Sequence, residues 1–154
     1  MIDARTTTTI FFVRHAEIDE SRPLGCDTPL DAQGQLRARQ LADFLDEVDF
    51  VSGPDAIYAT ECLRTQQTVA PLAGLGGLEV QVGDPSRVVE FAEELLSAHR
   101  REIVVVAVDD DLLPPLVEEL HGKKGITDIA PNEVFIVTIP TYGRVKTLRL
   151  PYSE

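Results

Sequence analysis

Segments with strand-like and helix-like hydrophobic patterns alternate along almost all of the 154 residues. This alternation is typical of an α/β protein in which crossover helices connect the strands of a mostly parallel sheet. Such helices cover both faces of the sheet, so we expect a three-layer sandwich. The length fits one domain, residues 1–154, which is large enough to bury most of its apolar surface.

The run IVVVAV at Ile103–Val108 is the strongest strand signal in the sequence. An uninterrupted β-branched run is typical of a strand that is buried on both faces, so we expect it to be central. The last two expected strands are separated by a Pro- and Gly-containing turn, which predicts a terminal hairpin. The other expected strands are Thr8–Val13, Ala56–Ala59, Leu78–Val82, Val134–Ile139 and Val145–Leu150.

Four helices are expected between these strands. Asp31 suits the N-cap of the first, and Asp84 with Pro85 suits the N-cap and first position of the third. Pro114 and Pro115 are tolerable in the fourth helix only in its first turn. With their caps, the expected helical segments are Asp31–Val48, Glu61–Ala73, Asp84–Leu96 and Leu112–Leu120.

Composition excludes some function classes. Fourteen basic against 26 acidic residues give a net charge of −12, which repels nucleic acid and anionic lipid. Two cysteines, Cys26 and Cys62, are too few to indicate a disulfide framework, and zinc-ligand spacing is missing. Neither a leader nor a membrane-spanning segment is recognisable, so we expect a cytoplasmic protein without nucleic-acid or membrane partners. The sequence does not specify an oligomeric state.

Arg14 and His15 come directly after the first expected strand. An α/β sheet binds its ligand outside the carboxyl ends of its strands, so this pair is expected beside a substrate. An arginine fork matches phosphate oxygens, and a neutral imidazole can act as a nucleophile toward phosphorus. The pair therefore predicts a phosphate site.

Arg64 is the second candidate for this site. It lies in the first turn of the helix that follows the strand Ala56–Ala59, so its guanidinium can reach the same sheet edge. The helix N-terminus adds free N–H groups and a positive dipole end, which favour an anion. The alternative is a surface arginine that pairs with Glu61.

These motifs resemble the histidine phosphatase superfamily, also called phosphoglycerate mutase-like. Arg14, His15 and Ala16 resemble its Arg-His-Gly signature, with alanine in place of glycine. Residues 56–73 resemble its Ser-Pro-x-x-Arg-x-x-x-Thr-Ala stretch, in which Arg64 and Thr68 match. Thr60 and Glu61 depart from Ser-Pro there. Residues 27–45 resemble the family's Pro-Leu-Thr-x-x-Gly-x-x-Gln-Ala helix start, in which Pro29, Leu30 and Gly34 match.

The resemblance implies a phosphoglycerate mutase-like fold and a phosphatase that uses neither metal nor cofactor. Its compact length is similar to the small phosphohistidine phosphatase branch. His15 would be the nucleophile, Arg14 and Arg64 would hold the phosphoryl oxygens, and Arg22 would lie in the loop that reaches over the substrate. The implied substrate is a small phosphomonoester or a phosphohistidine on a protein.

Asp109 is the main departure from this family. The strand that ends in Gly-His-Ser there ends here at Asp109, so the second histidine is replaced by a carboxylate. A carboxylate repels a phosphate by roughly 4 kcal/mol at about 4 Å when the effective dielectric constant is near 20. Asp109 must either turn away and pair with Arg14 or Arg64, or stay protonated and act as the general acid.

Three hypotheses follow from this residue. The first is a phosphatase of the histidine phosphatase type, with activity that Asp109 limits. The second is a disabled pseudophosphatase that acts as a binding module. The third is a Mg²⁺ site at Asp109 and Asp111, which resembles the Asp-x-Asp of haloacid dehalogenase phosphatases, although Leu113 stands where threonine is expected.

Further charged residues carry less specific predictions about the site. His99, beside Arg100 and Arg101, is interpreted as part of a solvated helix face, and His121 as a residue that interacts with a helix C-terminus. Glu17, Asp19 and Glu20 follow the Arg-His signature and could line the pocket or face solvent.

Overall fold

The chain is described by a computed structural model that covers residues 6–21, 23–47 and 53–154. Within these ranges, six strands and four helices follow one another in nearly strict alternation. In chain order they are β1 (Thr7–Arg14), α1 (Ala32–Glu47), β2 (Ala56–Ala59), α2 (Leu63–Gly76), β3 (Val80–Val82), α3 (Val88–Ala98), β4 (Ile103–Val108), α4 (Leu113–Glu119), β5 (Glu133–Pro140) and β6 (Lys146–Pro151).

The strands form one mixed sheet in the order β3-β2-β4-β1-β5-β6. β3, β2, β4 and β1 are parallel neighbours, β5 is antiparallel to β1, and β6 is antiparallel to β5. The central position of β4 and the terminal hairpin are therefore confirmed. Because β1 and β4 are parallel neighbours, their carboxyl ends meet at the middle of one sheet edge.

Alternate residues of β1 face opposite layers of helices. Ile10 and Phe12 belong to the core beneath α3 and α4, whereas Phe11 and Val13 belong to the core beneath α1 and α2. All four side chains are at most 2% exposed. Both faces of the sheet are covered, which confirms the predicted α/β sandwich with a mostly parallel centre.

The start of α1 is packed against the chain that leaves β1. Asp31 Oδ1 accepts a hydrogen bond from Gly34 N at 2.7 Å, as the N-cap prediction requires. Asp31 N donates to Glu17 O at 3.0 Å. A Cβ atom at Gly34 would lie 2.0 Å from the same Glu17 oxygen, so only glycine allows this close approach.

We expect Gly34→Ala to destabilise the protein by about 1–3 kcal/mol, because the backbone of Glu17 must move. Urea denaturation followed by circular dichroism measures the change. Gly74→Ala is the matched control, since Gly74 lies inside α2 and no described atom is within 4 Å of its Cβ position. That control should be neutral or stabilising by up to about 1 kcal/mol, and a Gly34 variant as stable as the Gly74 variant would contradict this packing argument.

Two predicted helix boundaries are wrong. α3 begins at Val88 rather than at Asp84, because the Asp84 carboxylate accepts hydrogen bonds from the amide and hydroxyl of Ser86 and forms a local turn instead. α2 continues through Gly74 and ends before Gly77, which adopts a φ of 65°. The predicted end of the first helix, Val48, lies outside the described residues.

In the described part of the chain, every helix is too short or too polar to cross a membrane.

Candidate active site

The register between β1 and β4 places Asp109 beside His15. Arg14 is opposite Val108, and His15 N donates to Val108 O at 3.1 Å, so the two strands stay paired up to the edge. The next side chains then face each other, with His15 Nε2 3.7 Å from Asp109 Oδ1.

The His15 ring is held by the backbone of the next residue. Nδ1 lies 2.8 Å from Ala16 O, and a carbonyl can only accept, so Nδ1 carries the proton. Burial is the largest influence on the ring and lowers the pKa of His15, a shift that Arg14 and Arg64 reinforce and that Ala16 O and Asp109 oppose. A neutral ring leaves the lone pair on Nε2, on the side of Asp109.

Arg64 forms a two-pronged ion pair with Asp109. Its Nε donates to Oδ1 at 2.8 Å and its Nη2 donates to Oδ2 at 2.9 Å. Nη1 donates to Gly25 O at 3.1 Å, and the residue is 9% exposed. The hydrogen bonds that Arg64 donates to the Asp109 carboxylate raise the pKa of Arg64. Arg64 is thus buried at the site, and the alternative of a surface arginine paired with Glu61 is wrong.

Arg14 reaches the same edge from β1 and lies on the side of β5. Its Nη1 donates to Ile129 O at 2.6 Å, and its Nη2 lies 3.9 Å from Asp110 Oδ2. Its Nε is buried and has no hydrogen-bond partner among the described residues. Arg14 therefore retains an unused donor close to His15.

Glu17 forms an ion pair with Arg37 of α1, and its side chain is only partly exposed. Arg37 donates to both of its carboxylate oxygens, at 3.2 and 2.7 Å, and this ion pair lowers the pKa of Glu17. Arg37 also donates to Ser153 Oγ at 2.7 Å, so it connects the chain after His15 to residues 153 and 154. Arg37 lies at the glutamine position of the helix-start motif but was not predicted as a site residue. Its position three residues after Gly34 places it on the inner face of α1.

Cys26 and Cys62 form a single disulfide, which two cysteines too few for a disulfide framework did not predict. The bond joins the loop before α1 to the residue that precedes α2. Leu63 N donates to Cys26 O at 2.8 Å, and Gly25, next to Cys26, provides the carbonyl that Arg64 binds. The disulfide therefore attaches the loop to the helix that carries Arg64.

The interpretation of His99 as part of a solvated helix face is wrong. His99 is 9% exposed rather than solvated, with Nε2 2.7 Å from Tyr58 Oη and Nδ1 2.8 Å from Glu102 Oε1. His121 follows α4 with a φ of 64° and is exposed. The predicted substrate contact Arg22 lies outside the described residues.

A cavity of about 560 Å³ opens beside Asp109. The ends of β2 and β3 and the residue before α4 line it, including Thr60, Asp84 and Leu112. Over the described ranges, no group of three or more His, Cys, Asp or Glu side chains has a geometry suited to a metal ion. Among the described residues, the site thus combines an imidazole whose Nε2 is unprotonated with two guanidinium groups, those of Arg14 and Arg64. The Asp109 carboxylate lies between Arg64 and His15, and the cavity adjoins it.

The sequence matches the model of the histidine phosphatase superfamily (branch 1) over residues 10–84. This range contains His15 and Arg64, so the resemblance to the superfamily is confirmed. No curated protein sequence gives a significant match to the chain.

Solved structures share the fold at low sequence identity. The protein histidine phosphatase SixA complexed with tungstate is 19% identical, with a TM-score of 0.76 over 94% of this chain and 97% of that chain. A putative phosphohistidine phosphatase SixA from Agrobacterium tumefaciens is 18% identical, with a TM-score of 0.68 over 93% and 97%. A putative α-ribazole-5′-phosphate phosphatase from Escherichia coli is 16% identical, with a TM-score of 0.71 over 94% and 96%. The phosphoglycerate mutase-like fold is thereby confirmed.

Proposed function

We propose that this protein, with its confirmed resemblance to the histidine phosphatase superfamily, is a phosphatase that works through a phosphohistidine intermediate on His15. The observation that carries the proposal is the pair formed by His15 and Arg64. The Nδ1 proton of His15 is held by Ala16 O, so the Nε2 lone pair faces the carboxylate that Arg64 binds. An oxyanion that replaced this carboxylate would lie against both a nucleophile and an arginine fork.

In the first step, His15 Nε2 attacks phosphorus as the bond from phosphorus to the leaving oxygen breaks. Arg64 and the unused Nε of Arg14 hold the phosphoryl oxygens, and their positive charge stabilises the transition state. Asp109, released from Arg64, protonates the leaving oxygen. With a phosphomonoester, the products of this step are an alcohol and the phosphohistidine on His15. With a phosphohistidine substrate, the bond that breaks joins phosphorus to an imidazole nitrogen, and Asp109 protonates that nitrogen instead.

In the second step, the Asp109 carboxylate takes a proton from water as the water oxygen attacks phosphorus. The bond from phosphorus to His15 Nε2 breaks, which regenerates the neutral imidazole and releases inorganic phosphate. The proton on Asp109 leaves with the phosphate, and the carboxylate returns to Arg64. The cavity beside Asp109 provides space for the leaving group and then for this water.

The charge of the site favours a substrate monoanion. A dianion would meet the Asp109 carboxylate, whereas a monoanion brings a proton that passes to Asp109 as the phosphoryl oxygens take its place on Arg64. Phosphomonoesters become monoanions below about pH 6. Burial lowers the pKa of His15, so at mildly acidic pH a larger fraction of the nucleophile is neutral than for an exposed histidine. Activity should therefore be higher at mildly acidic pH than at pH 8.

Trapping the intermediate tests the proposal. We expect the protein, incubated with ³²P-labelled phosphohistidine peptide or acetyl phosphate and quenched in alkali, to retain label that acid removes. Labelling should be stronger at pH 5.5 than at pH 8 and absent in His15→Ala. His99→Ala is the control because His99 lies outside the site. Label that persists in His15→Ala, or no turnover of any phosphomonoester between pH 4 and 8, would overturn the proposal.

The second candidate is a pseudophosphatase that uses the pocket to bind a partner. The observation that favours it is the bidentate Arg64–Asp109 ion pair, which engages the phosphate-binding arginine in the resting protein. Asp109→His separates the two functions, since it restores the residue type of the family. A large gain in turnover would indicate that the natural site is disabled, and no gain would favour the phosphatase with Asp109 as its acid.

The remaining assignments are proposals of the same kind. We propose one domain over residues 1–154 and a phosphorylated small molecule or a phosphohistidine protein as the substrate, turned over without a cofactor. A role for Arg22 at the substrate stays a prediction. The cytoplasmic location also stays a prediction, and the Cys26–Cys62 disulfide is the observation that speaks against it, because disulfides persist mainly in oxidising compartments.

A further inference from the structure

A buried threonine connects two of the site residues that lie far apart in the chain. Thr68 is on α2, one turn after Arg64, and its side chain is fully buried. Its hydroxyl donates to Arg64 O at 2.7 Å and accepts from Ala16 N at 2.9 Å. The hydroxyl has only one hydrogen, which goes to the carbonyl of Arg64, so the direction of both bonds is determined.

Ala16 is the residue whose carbonyl selects the protonated nitrogen of His15. Its N–H and its carbonyl are therefore both engaged, the first by Thr68 and the second by the imidazole. The result is a continuous path of hydrogen bonds from the backbone of Arg64, through the Thr68 hydroxyl and the backbone of Ala16, to His15 Nδ1. Ala16 is itself fully buried, so water does not replace the Thr68 contact without a rearrangement.

We propose that Thr68 is a positioning residue that fixes the backbone of Ala16 relative to Arg64. Through the Ala16 carbonyl, it also fixes the tautomer of His15. This inference rests on the proposed function, because it concerns the nucleophile of that reaction. Thr68 does not touch the reacting atoms. It acts by keeping the lone pair on Nε2 rather than on Nδ1.

Two substitutions at Thr68 isolate the hydroxyl. Thr68→Val keeps the size and removes both hydrogen bonds, and Thr68→Ser keeps the hydroxyl. Thr65→Val is the matched control, since Thr65 is equally buried on the same helix but its hydroxyl bonds Thr60 and Cys62 instead. Any general loss of stability that comes from removing a buried hydroxyl should appear in Thr65→Val as well.

The primary measurement is ¹⁵N NMR of the His15 ring in the resting protein, assigned against His15→Gln. We expect the Nδ1–H tautomer in the wild type, in Thr68→Ser and in Thr65→Val. In Thr68→Val we expect a mixture of tautomers and a lower pKa of His15, because the Ala16 carbonyl raises that pKa in the wild type. The kcat of Thr68→Val should fall by roughly 10- to 100-fold, more than KM rises, since small misplacements of a nucleophile cost this much.

A wild-type tautomer and pKa in Thr68→Val would overturn the assignment, as would the same changes in Thr65→Val. Should Thr68→Val fail to fold, Thr68→Ser decides, because a shifted tautomer in that variant contradicts a role of the hydroxyl and an unshifted one supports it. The tautomer is measured without substrate, so it is independent of turnover. A wild type with the expected tautomer and no turnover would contradict the proposed function and not the role of Thr68.

Discussion

Asp109→Asn should bind tungstate on the order of 100-fold more tightly than the wild type. The substitution keeps the shape of the side chain and removes the negative charge between Arg64 and His15. A full charge at about 4 Å and an effective dielectric constant near 20 corresponds to roughly 4 kcal/mol. The Asp109 side chain is 22% exposed, so solvent and salt reduce this value. Isothermal titration calorimetry at pH 7 measures the affinity.

Asp111→Asn is the matched control, since it removes the same charge from an exposed residue two positions along the chain. We expect that variant to change the tungstate affinity by less than about threefold. An equal gain in both variants would show that total charge, and not the Arg64–Asp109 pair, governs binding. Weaker binding by Asp109→Asn would contradict the account of the site.

Turnover by the same Asp109→Asn variant distinguishes the two candidate functions. An amide cannot deliver a proton, so the phosphatase proposal requires kcat to fall by roughly 10²- to 10⁴-fold while oxyanions bind more tightly. A pseudophosphatase would show tighter binding with no turnover to lose. The combination of tighter binding and slower turnover is therefore specific to Asp109 as the acid.

Reduction of the Cys26–Cys62 disulfide should lower the free energy of unfolding by about 4 kcal/mol. The bond closes a loop with a sequence separation of 36, and the chain-entropy estimate for such a loop is close to this value. For a protein of this size, the melting temperature should fall by roughly 10 °C. Thermal unfolding with and without dithiothreitol measures the effect.

The Cys26→Ser, Cys62→Ser double variant is the control, and its melting temperature should match that of the reduced wild type and not respond to dithiothreitol. Thiol titration of the unfolded wild type without reductant should find no free thiol. Two free thiols in that titration, or an unchanged melting temperature after verified reduction, would contradict the structural role of the crosslink.

The sheet could be predicted from the sequence because strand burial leaves a direct pattern. The runs around Ile103–Val108 and Ala56–Ala59 are apolar at every position, and the structure has both strands with the predicted bounds. The edge that carries Arg14, His15 and Arg64 follows from the order of strands and helices. Such features depend on periodicity, which is local in the chain.

The remaining features depend on contacts between distant segments. The sequence left open whether Asp109 pairs with Arg14 or with Arg64. The structure shows that Arg64, in the first turn of α2, is the partner of Asp109. The disulfide was missed because its two cysteines approach each other only when the loop before α1 packs on α2. The burial of His99 was missed because it lies at the end of α3, where the chain turns toward Tyr58 and away from solvent.

The central claim is that one oxyanion is bound jointly by Arg14, His15 and Arg64, and that Asp109 leaves Arg64 to admit it. A crystal structure with tungstate tests this most directly. We expect the oxyanion within hydrogen-bond distance of His15 Nε2 and of the Arg64 fork, with the Asp109 carboxylate displaced from both nitrogens that it binds in the resting protein. Tungstate bound elsewhere, or Asp109 still paired with Arg64 while tungstate is bound, would contradict the account.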